Sequence, residues 1–317
     1  VIVHDGKIIG EGWHKKAGEP HAEVNAVNSV KDKSLLKEAT IYVSLEPCSH
    51  FGKTPPCCDL IIANKIPNVV VGTVDPFAKV AGNGIKKLVE SGKNVTVGIL
   101  EDECNKLNKR FFTFHQKKRP FIILKWAETA DGFIAPISRE EKSPVWITNP
   151  YSRQLVHKWR TEEQAILVGT NTVLDDNPKL DTRDFSGNNP IRIVLDKSGK
   201  ISENYHVKNN SQKTIFITES ENFISTENCI YENAIFDINL IPSICTILYQ
   251  NDIQSVIIEG GSKTLQSFID ANLWDEARVF IGQTTFQNGT LAPAFSGNSV
   301  AGFDIMNDEL KIFKNYD

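Results

Sequence analysis

The sequence predicts an α/β fold in two domains, and three observations carry that expectation. At 317 residues the chain exceeds an ordinary single domain and suits two of roughly 150 residues each. Strand-like apolar runs alternate with segments whose apolar residues recur at helical spacing, the pattern of layered sheets with parallel pairs. A lysine-rich, proline-ended stretch, Gln116-Lys-Lys-Arg-Pro120, interrupts that alternation. We therefore divide the chain into residues 1–116 and 117–317, each large enough to bury its own core.

Val1 to His4, Asp5-Gly6 and Lys7 to Trp13 read as a hairpin, since Asp-Gly between apolar runs suits a type I′ turn. Ala22 to Val30 is helical by spacing, with Pro20 just ahead of it. Ala39 to Leu45 is a strand, and Pro55-Pro56 opens a helix over Cys57 to Asn64. Strands at Asn68 to Val74 and Asn94 to Leu100 alternate with helices at Gly84 to Glu90 and Asp102 to His115. Beyond Pro120 the spacing predicts strands at Phe121 to Ala127, Gln164 to Val168, Ile191 to Leu195, Thr214 to Thr218, Ser255 to Ile258 and Arg278 to Ile281. Helices are expected at Tyr151 to Arg160 and Ser262 to Ala271, and the polar stretches Gly199 to Gln212 and Glu219 to Asn233 read as loops.

A net charge of -4 and a pI near 6.0 argue against a broad nucleic-acid surface, which needs clustered Lys and Arg. No apolar run approaches the roughly 20 residues of a membrane span. Cys48, Cys57, Cys58, Cys104, Cys229 and Cys245 make a poor disulfide framework and a reasonable metal site in a reducing cytoplasm. The chain opens inside a strand at Val1, which leads us to expect further residues upstream.

The chemistry of the first domain concentrates in Gly18-Glu-Pro-His-Ala-Glu-Val24 and Glu46-Pro-Cys-Ser-His-Phe-Gly-Lys-Thr-Pro-Pro-Cys57. A histidine, two thiolates and a nearby glutamate can hold Zn²⁺ with an open fourth position and supply a proton carrier, which is the kit of a hydrolytic deaminase. Glu23 is the non-ligand carboxylate. Eight residues separate Cys48 from Cys57, where the general nucleobase-deaminase pattern has two. Gly52-Lys53-Thr54 mimics the tail of a phosphate loop, but Pro47 stands where that loop needs glycine.

Gly12-Trp-His-Lys-Lys-Ala-Gly-Glu-Pro-His-Ala-Glu23, Leu45 to Cys57 and Asp75-Pro-Phe-Ala-Lys-Val-Ala-Gly-Asn-Gly84 resemble the deaminase half of the bifunctional riboflavin-biosynthesis deaminase/reductase family. The resemblance continues through Lys125-Trp-Ala-Glu-Thr-Ala-Asp-Gly132, Trp146-Ile-Thr148, Val168-Gly-Thr-Asn-Thr-Val173, Asp176-Asn-Pro-Lys-Leu180 and Glu259-Gly-Gly-Ser262. It implies a cytidine-deaminase-like three-layer domain followed by a dihydrofolate-reductase-like α/β domain. By the same resemblance His21, Cys48 and Cys57 are zinc ligands, Glu23 is the general acid/base, and His14 and Lys53 contact substrate. In the second domain it implies NADPH as cofactor and a phosphoribosyl-pyrimidine substrate, with a homo-oligomeric assembly.

We expect Lys125, Trp146, Arg160, Asn177, Leu180, Arg183 and Glu259 on the substrate side. The arginines suit a phosphate because a guanidinium fork binds it bidentately. Thr129, Asp131, Gly169, Thr172, Gly260 and Gly261 are the expected cofactor contacts, with a strand running through Glu-Gly-Gly-Ser into a helix N-terminus where a phosphate can sit. The pattern departs from the family at Pro144, where a serine is expected with Ser143 one place early, and at Phe286-Gln-Asn-Gly289. Two rivals remain open at this level. One is a nucleoside deaminase with an unrelated appended domain; the other is a zinc-stabilised binding module with Cys58 or His50 as a fourth ligand.

Overall fold

A computed structural model describes residues 1–315 except 17, 53, 78–80 and 139–143. It divides into two compact units, Val1–Lys117 and Lys118–Asp317, taken here one at a time.

In the first unit β1 (Ile2–His4) and β2 (Lys7–Gly10) form the hairpin, joined by Asp5 and Gly6 at φ 46° and 71°. Both central residues in the left-handed region is what a type I′ turn demands. Then come α1 (Ala22–Ser29), β3 (Thr40–Leu45), α2 (Cys57–Ala63), β4 (Asn68–Thr73), α3 (Asn83–Glu90), β5 (Asn94–Val97), α4 (Glu101–Leu107) and α5 (Lys109–Lys117). Among the described residues the sheet runs β2-β1-β3-β4-β5, parallel across β3, β4 and β5 and antiparallel at β1.

Ala26 and Val27 of α1, Ile61 of α2 and Leu88 of α3 close one core with Ile2, Ile41, Val69 and Val71 of the sheet. On the same unit α4 packs so close to β4 that a Cβ on Gly72 would fall 2.2 Å from Cys104 Sγ. The single helix expected over Asp102 to His115 is divided at Asn108, whose side-chain amide donates to the Cys104 carbonyl at 2.8 Å. Asparagine competes in this way with the main-chain bond that would carry a helix through.

The second unit continues with β6 (Phe121–Glu128), β7 (Phe133–Pro136), α6 (Pro150–Glu162), β8 (Ala165–Gly169), α7 (Thr170–Asp176), β9 (Ile191–Leu195), β10 (Thr214–Thr218), β11 (Cys229–Asn233), α8 (Leu240–Gln250), β12 (Ser255–Ile258), α9 (Ser262–Asp270), β13 (Glu276–Ile281), β14 (Gly289–Leu291), β15 (Ala301–Ile305) and β16 (Asp308–Lys314). Among the described residues the large sheet runs β11-β10-β9-β8-β12-β6-β13-β16-β15, parallel up to β13 and antiparallel at β16 and β15. Ile241, Ile244 and Leu248 of α8 and Leu265 and Phe268 of α9 bury one face. Val156 and Trp159 of α6 and Val173 of α7 pack on the other. This is a three-layer α/β/α arrangement.

The stretch 219–233, expected as a loop, ends in β11, which pairs with β10 from Thr214↔Cys229 to Thr218↔Asn233. The strand is only five residues long, CIYEN, at the sheet edge, and the polar residues ahead of it concealed it. Helices α7 and α8 and strands β7, β14, β15 and β16 were likewise not anticipated. For α8 the signal was present: Ile241, Ile244, Cys245 and Leu248 recur at helical spacing and are buried.

Candidate functional site

In the first unit His21, Cys48 and Cys57 present donor atoms that all lie within 4.8 Å of one another. His21 is the residue capping α1, Cys57 begins α2, and Cys48 lies in the loop after β3. His21 Nδ1 is 3.6 Å from Cys48 Sγ and 3.4 Å from Cys57 Sγ. A tetrahedral ion with bonds of about 2.0–2.3 Å separates its ligand atoms by about 3.3–3.8 Å, so the set fits zinc. The Cys57 backbone N–H donates to Cys48 Sγ at 3.3 Å, orienting that sulfur. The Cys48 thiol is drawn down to about 5, first by the hydrogen bond from Cys57, while the Cys57 thiol is raised by the same bond and by burial. A cation held by the two sulfurs would favour their thiolate forms.

Glu23 is buried, and that burial raises its carboxyl above the ordinary glutamate range against a hydrogen bond with the Cys57 side chain. It stands beside the donor cluster. The His14 ring lies 5.0 Å from that of His21, and Asn25 Nδ2 ties its segment by donating to the Trp13 and Pro20 carbonyls. Lys53 and Ser143 lie outside the described residues.

The open alternatives for a fourth protein ligand find no support among the described residues. Cys58 Sγ points to the Pro47 and Gly84 carbonyls, at 3.2 and 3.5 Å, with its thiol pushed up to about 12 by burial. His50 is exposed, its ring facing Phe77.

Two residues that sequence reasoning passed over support this site. Thr54 Oγ1 meets His21 Nε2 at 3.3 Å, leaving Nδ1 for a metal. The buried Glu46 carboxylate accepts backbone N–H bonds from Asp75, Gly82, Gly84 and Ile85, so it binds the start of α3 to the Pro47-Cys48 turn. The turn and α3 approach so closely that a Cβ on Gly84 would sit 2.1 Å from the Pro47 carbonyl oxygen. Gly84→Ala is expected to displace the Cys48 turn, costing about 1–3 kcal/mol and most of the bound zinc. Full zinc content and an unchanged unfolding midpoint would count against this.

The second unit holds a cavity of about 950 Å³ at the carboxyl ends of β6, β8 and β12, where open parallel sheets bind ligands. Lys125, Trp146, Arg160, Asn177, Leu180, Arg183 and Glu259 all line it, as do Gly169, Thr172, Gly260 and Gly261. Thr129 and Asp131 do not. Thr129 Oγ1 donates to Asp131 at 2.6 Å, and Asp131 accepts from the Phe286 and Gln287 N–H groups. Those two side chains tie one turn to another.

Arg160 lines the cavity with its guanidinium already paired. Its Nε and Nη2 bind the two oxygens of Glu259 at 3.1 and 2.8 Å, and Nη1 donates to the Asp181 carbonyl. It is thus committed to a buried bidentate pair. Burial alone would raise the Glu259 carboxyl, but Arg160 and Lys125 outweigh it and hold it near 2. Lys125 is itself lowered by burial. Arg183 is the more accessible guanidinium, with one contact to Asp181 at 2.7 Å.

Asn177 caps α7 at φ 41° and accepts from the His206 N–H, and Leu180 forms an apolar wall. A Cβ on Gly169 or Gly260 would meet Thr264 at 2.7 or 2.8 Å, so close packing of α9 already requires both glycines. The N-cap residues of α7 and α9 make no side-chain cap, and residues of both helix starts, Gly169 to Thr172 and Gly261 to Thr264, line the cavity, which fits an anionic cofactor segment. His157 and Arg153, also on this wall, were not singled out from sequence.

The geometry defines a zinc-binding deaminase domain joined to a dihydrofolate-reductase-like reductase domain. The family model of the cytidine and deoxycytidylate deaminase zinc-binding region matches residues 1–73, and that of the RibD C-terminal domain matches residues 120–297. A riboflavin biosynthesis protein RibD from Aquifex aeolicus is 41% identical over 294 residues, 91% of this chain and 81% of the relative. The crystal structure of a diaminohydroxyphosphoribosylaminopyrimidine deaminase/5-amino-6-(5-phosphoribosylamino)uracil reductase from Thermotoga maritima matches with a TM-score of 0.89 at 38% identity, over 99% of this chain and 90% of that one. An Acinetobacter baumannii RibD structure matches with a TM-score of 0.88 at 28% identity, over 100% and 91%. The chain belongs to the RibD family of riboflavin-biosynthesis enzymes, with deaminase and reductase activities in one polypeptide.

Proposed function

We propose that the first domain deaminates 2,5-diamino-6-ribosylamino-4(3H)-pyrimidinone 5′-phosphate and that the second reduces the ribosyl group of the product to ribityl with NADPH. The observation that carries this reading is the His21/Cys48/Cys57 cluster with buried Glu23 beside it, in the same chain as a cavity lined by Lys125, Arg183 and Glu259.

His21, Cys48 and Cys57 would hold Zn²⁺, which when bound supplies Lewis-acid activation of a water nucleophile. Glu23 takes a proton from the attacking water and returns it to the departing amino group, so water replaces the amine and ammonia leaves. His14 bounds the substrate beside His21. In the second domain the α7 and α9 N-termini would hold NADPH, whose nicotinamide supplies hydride. Lys125 and Glu259 bound the substrate, and Arg183 receives its phosphate.

We place the protein in the reducing cytoplasm, where free thiols such as those of its cysteines persist, acting on a small molecule as a homo-oligomer. Among the described residues no helix is long and apolar enough to cross a membrane.

Incubation with the phosphoribosyl pyrimidine is expected to release ammonia without NADPH, and to oxidise NADPH only after deamination. Turnover of free nucleosides in place of that substrate would favour a general nucleoside deaminase instead. Arg183→Ala is expected to raise the KM for the phosphorylated substrate by roughly tenfold and leave that for NADPH unchanged. Equal effects on both would reassign Arg183.

A further inference from the structure

His157 sits on α6 one turn before Arg160, with its side chain 5% exposed. Its Nδ1 is 2.9 Å from the Asp181 backbone oxygen and its Nε2 is 3.1 Å from Asp184 Oδ2. Both partners are acceptors. A neutral imidazole carries one N–H, so it satisfies one of them and turns a lone pair toward the other; an imidazolium donates to both.

The residues so held form a strap. Arg160 Nη1 also donates to the Asp181 carbonyl at 3.0 Å, and Gln154 Nε2 reaches the Asp184 carbonyl at 3.5 Å. Between these attachments lies Arg183, on the cavity wall, with its guanidinium against the Asp181 carboxylate. What fixes Asp181 and Asp184 to α6 therefore fixes Arg183.

We propose that His157 is a positioning residue of the reductase, whose imidazolium form binds the Asp181–Asp184 segment to α6 and so holds Arg183 in place for the substrate phosphate. This rests on the reading of Arg183 as a phosphate contact.

The charges around His157 come from several elements. Arg160 on α6 and Arg183 on the strap oppose its protonation; Asp181 and Asp184 on the strap and Glu259 at the end of β12 favour it. Burial, then Arg160 and Arg183, lower its titration from the ordinary 6.5. The strap is accordingly tightest in acid and loosens as pH rises toward 6.5.

The test compares the full chain with His157→Asn, whose amide can still donate to the Asp181 carbonyl but cannot reach Asp184. Substrate and NADPH KM values are measured for both from pH 5.5 to 8. The substrate's own phosphate titrates near pH 6, but comparison at each pH cancels that effect. The substrate KM of the variant should exceed that of the parent by roughly fivefold at pH 5.5 and converge with it by pH 8, with NADPH KM the same in both. A variant-to-parent ratio that is constant across pH, or one that is equal for both ligands, overturns the proposal.

A second measurement needs no activity and no change at His157. Nitrogen NMR of the histidine rings should show a His157 titration that moves to lower pH in Asp184→Asn, a change at a half-exposed side chain. A ring indifferent to Asp184 overturns the strap. An unchanged substrate KM in Arg183→Ala, with the NMR coupling intact, would instead remove Arg183 from the phosphate.

Discussion

Glu23→Gln is expected to bind zinc as the parent does and to lose deamination by roughly 10²–10⁴-fold, the usual contribution of a positioned proton carrier. The amide keeps the shape of the carboxyl and fills the same buried space, so neither the donor cluster nor the fold is disturbed. What is lost is the proton: burial raises the Glu23 carboxyl, which suits a group that must both accept and deliver one, and an amide does neither. Because the cavity of the second unit is built from other residues, reduction of the deaminated intermediate should continue at the parent's rate. Ammonia release, NADPH oxidation and zinc content, measured separately, decide the matter. Residual deamination above about a tenth of the parent's removes Glu23 from this role.

Glu259→Gln should destabilise the reductase domain by about 3–5 kcal/mol, the cost of removing one partner from a buried ion pair. Glu259 and Arg160 side chains are each 11% exposed, and Lys125 is 15% exposed at 3.9 Å. Without the carboxylate Arg160 loses its bidentate partner and Lys125 its nearest counter-charge. The pH dependence has a definite sign. The folded carboxyl titrates near 2 against an ordinary 4.5, so its contribution is present above pH 4.5 and disappears as pH falls toward 2. Unfolding of the parent's reductase domain should therefore show a steeper acid limb than that of the variant. A loss below about 1 kcal/mol would mean that solvent screens the pair more than its burial implies.

Much of the zinc site was legible because its residues announce their chemistry locally. His21 and Glu23 stand two apart where a helix begins, and Pro55-Pro56 starts the helix that opens with Cys57. Thr54 and Glu46 escaped notice because their roles depend on what folds against them. Nothing in the chain ahead of Cys48 says that Glu46 will gather N–H groups from residues 75 to 85.

The cavity of the second unit was legible as a set of residues and not as a set of contacts. Arg160 and Arg183 looked equivalent in the sequence. Low exposure and the facing Glu259 commit the first to an ion pair, while half-exposure leaves the second accessible. Thr129 and Asp131 stand in the motif Lys125 to Gly132, and only the fold shows that their side chains also hold the turn there.

By itself the sequence pointed to the α/β class and singled out His21, Cys48, Cys57 and Glu23, which the fold brings together, since spacing along a strand or a helix start is set by neighbouring residues. Tertiary structure alone decided which polar groups stay available. Cys58 is withdrawn toward two carbonyls, Arg160 is bound to Glu259, and His157 faces two acceptors on a segment 24 residues away. The reason is physical: a side chain's availability depends on its burial and on the partners brought to it, and those partners come from distant parts of the chain.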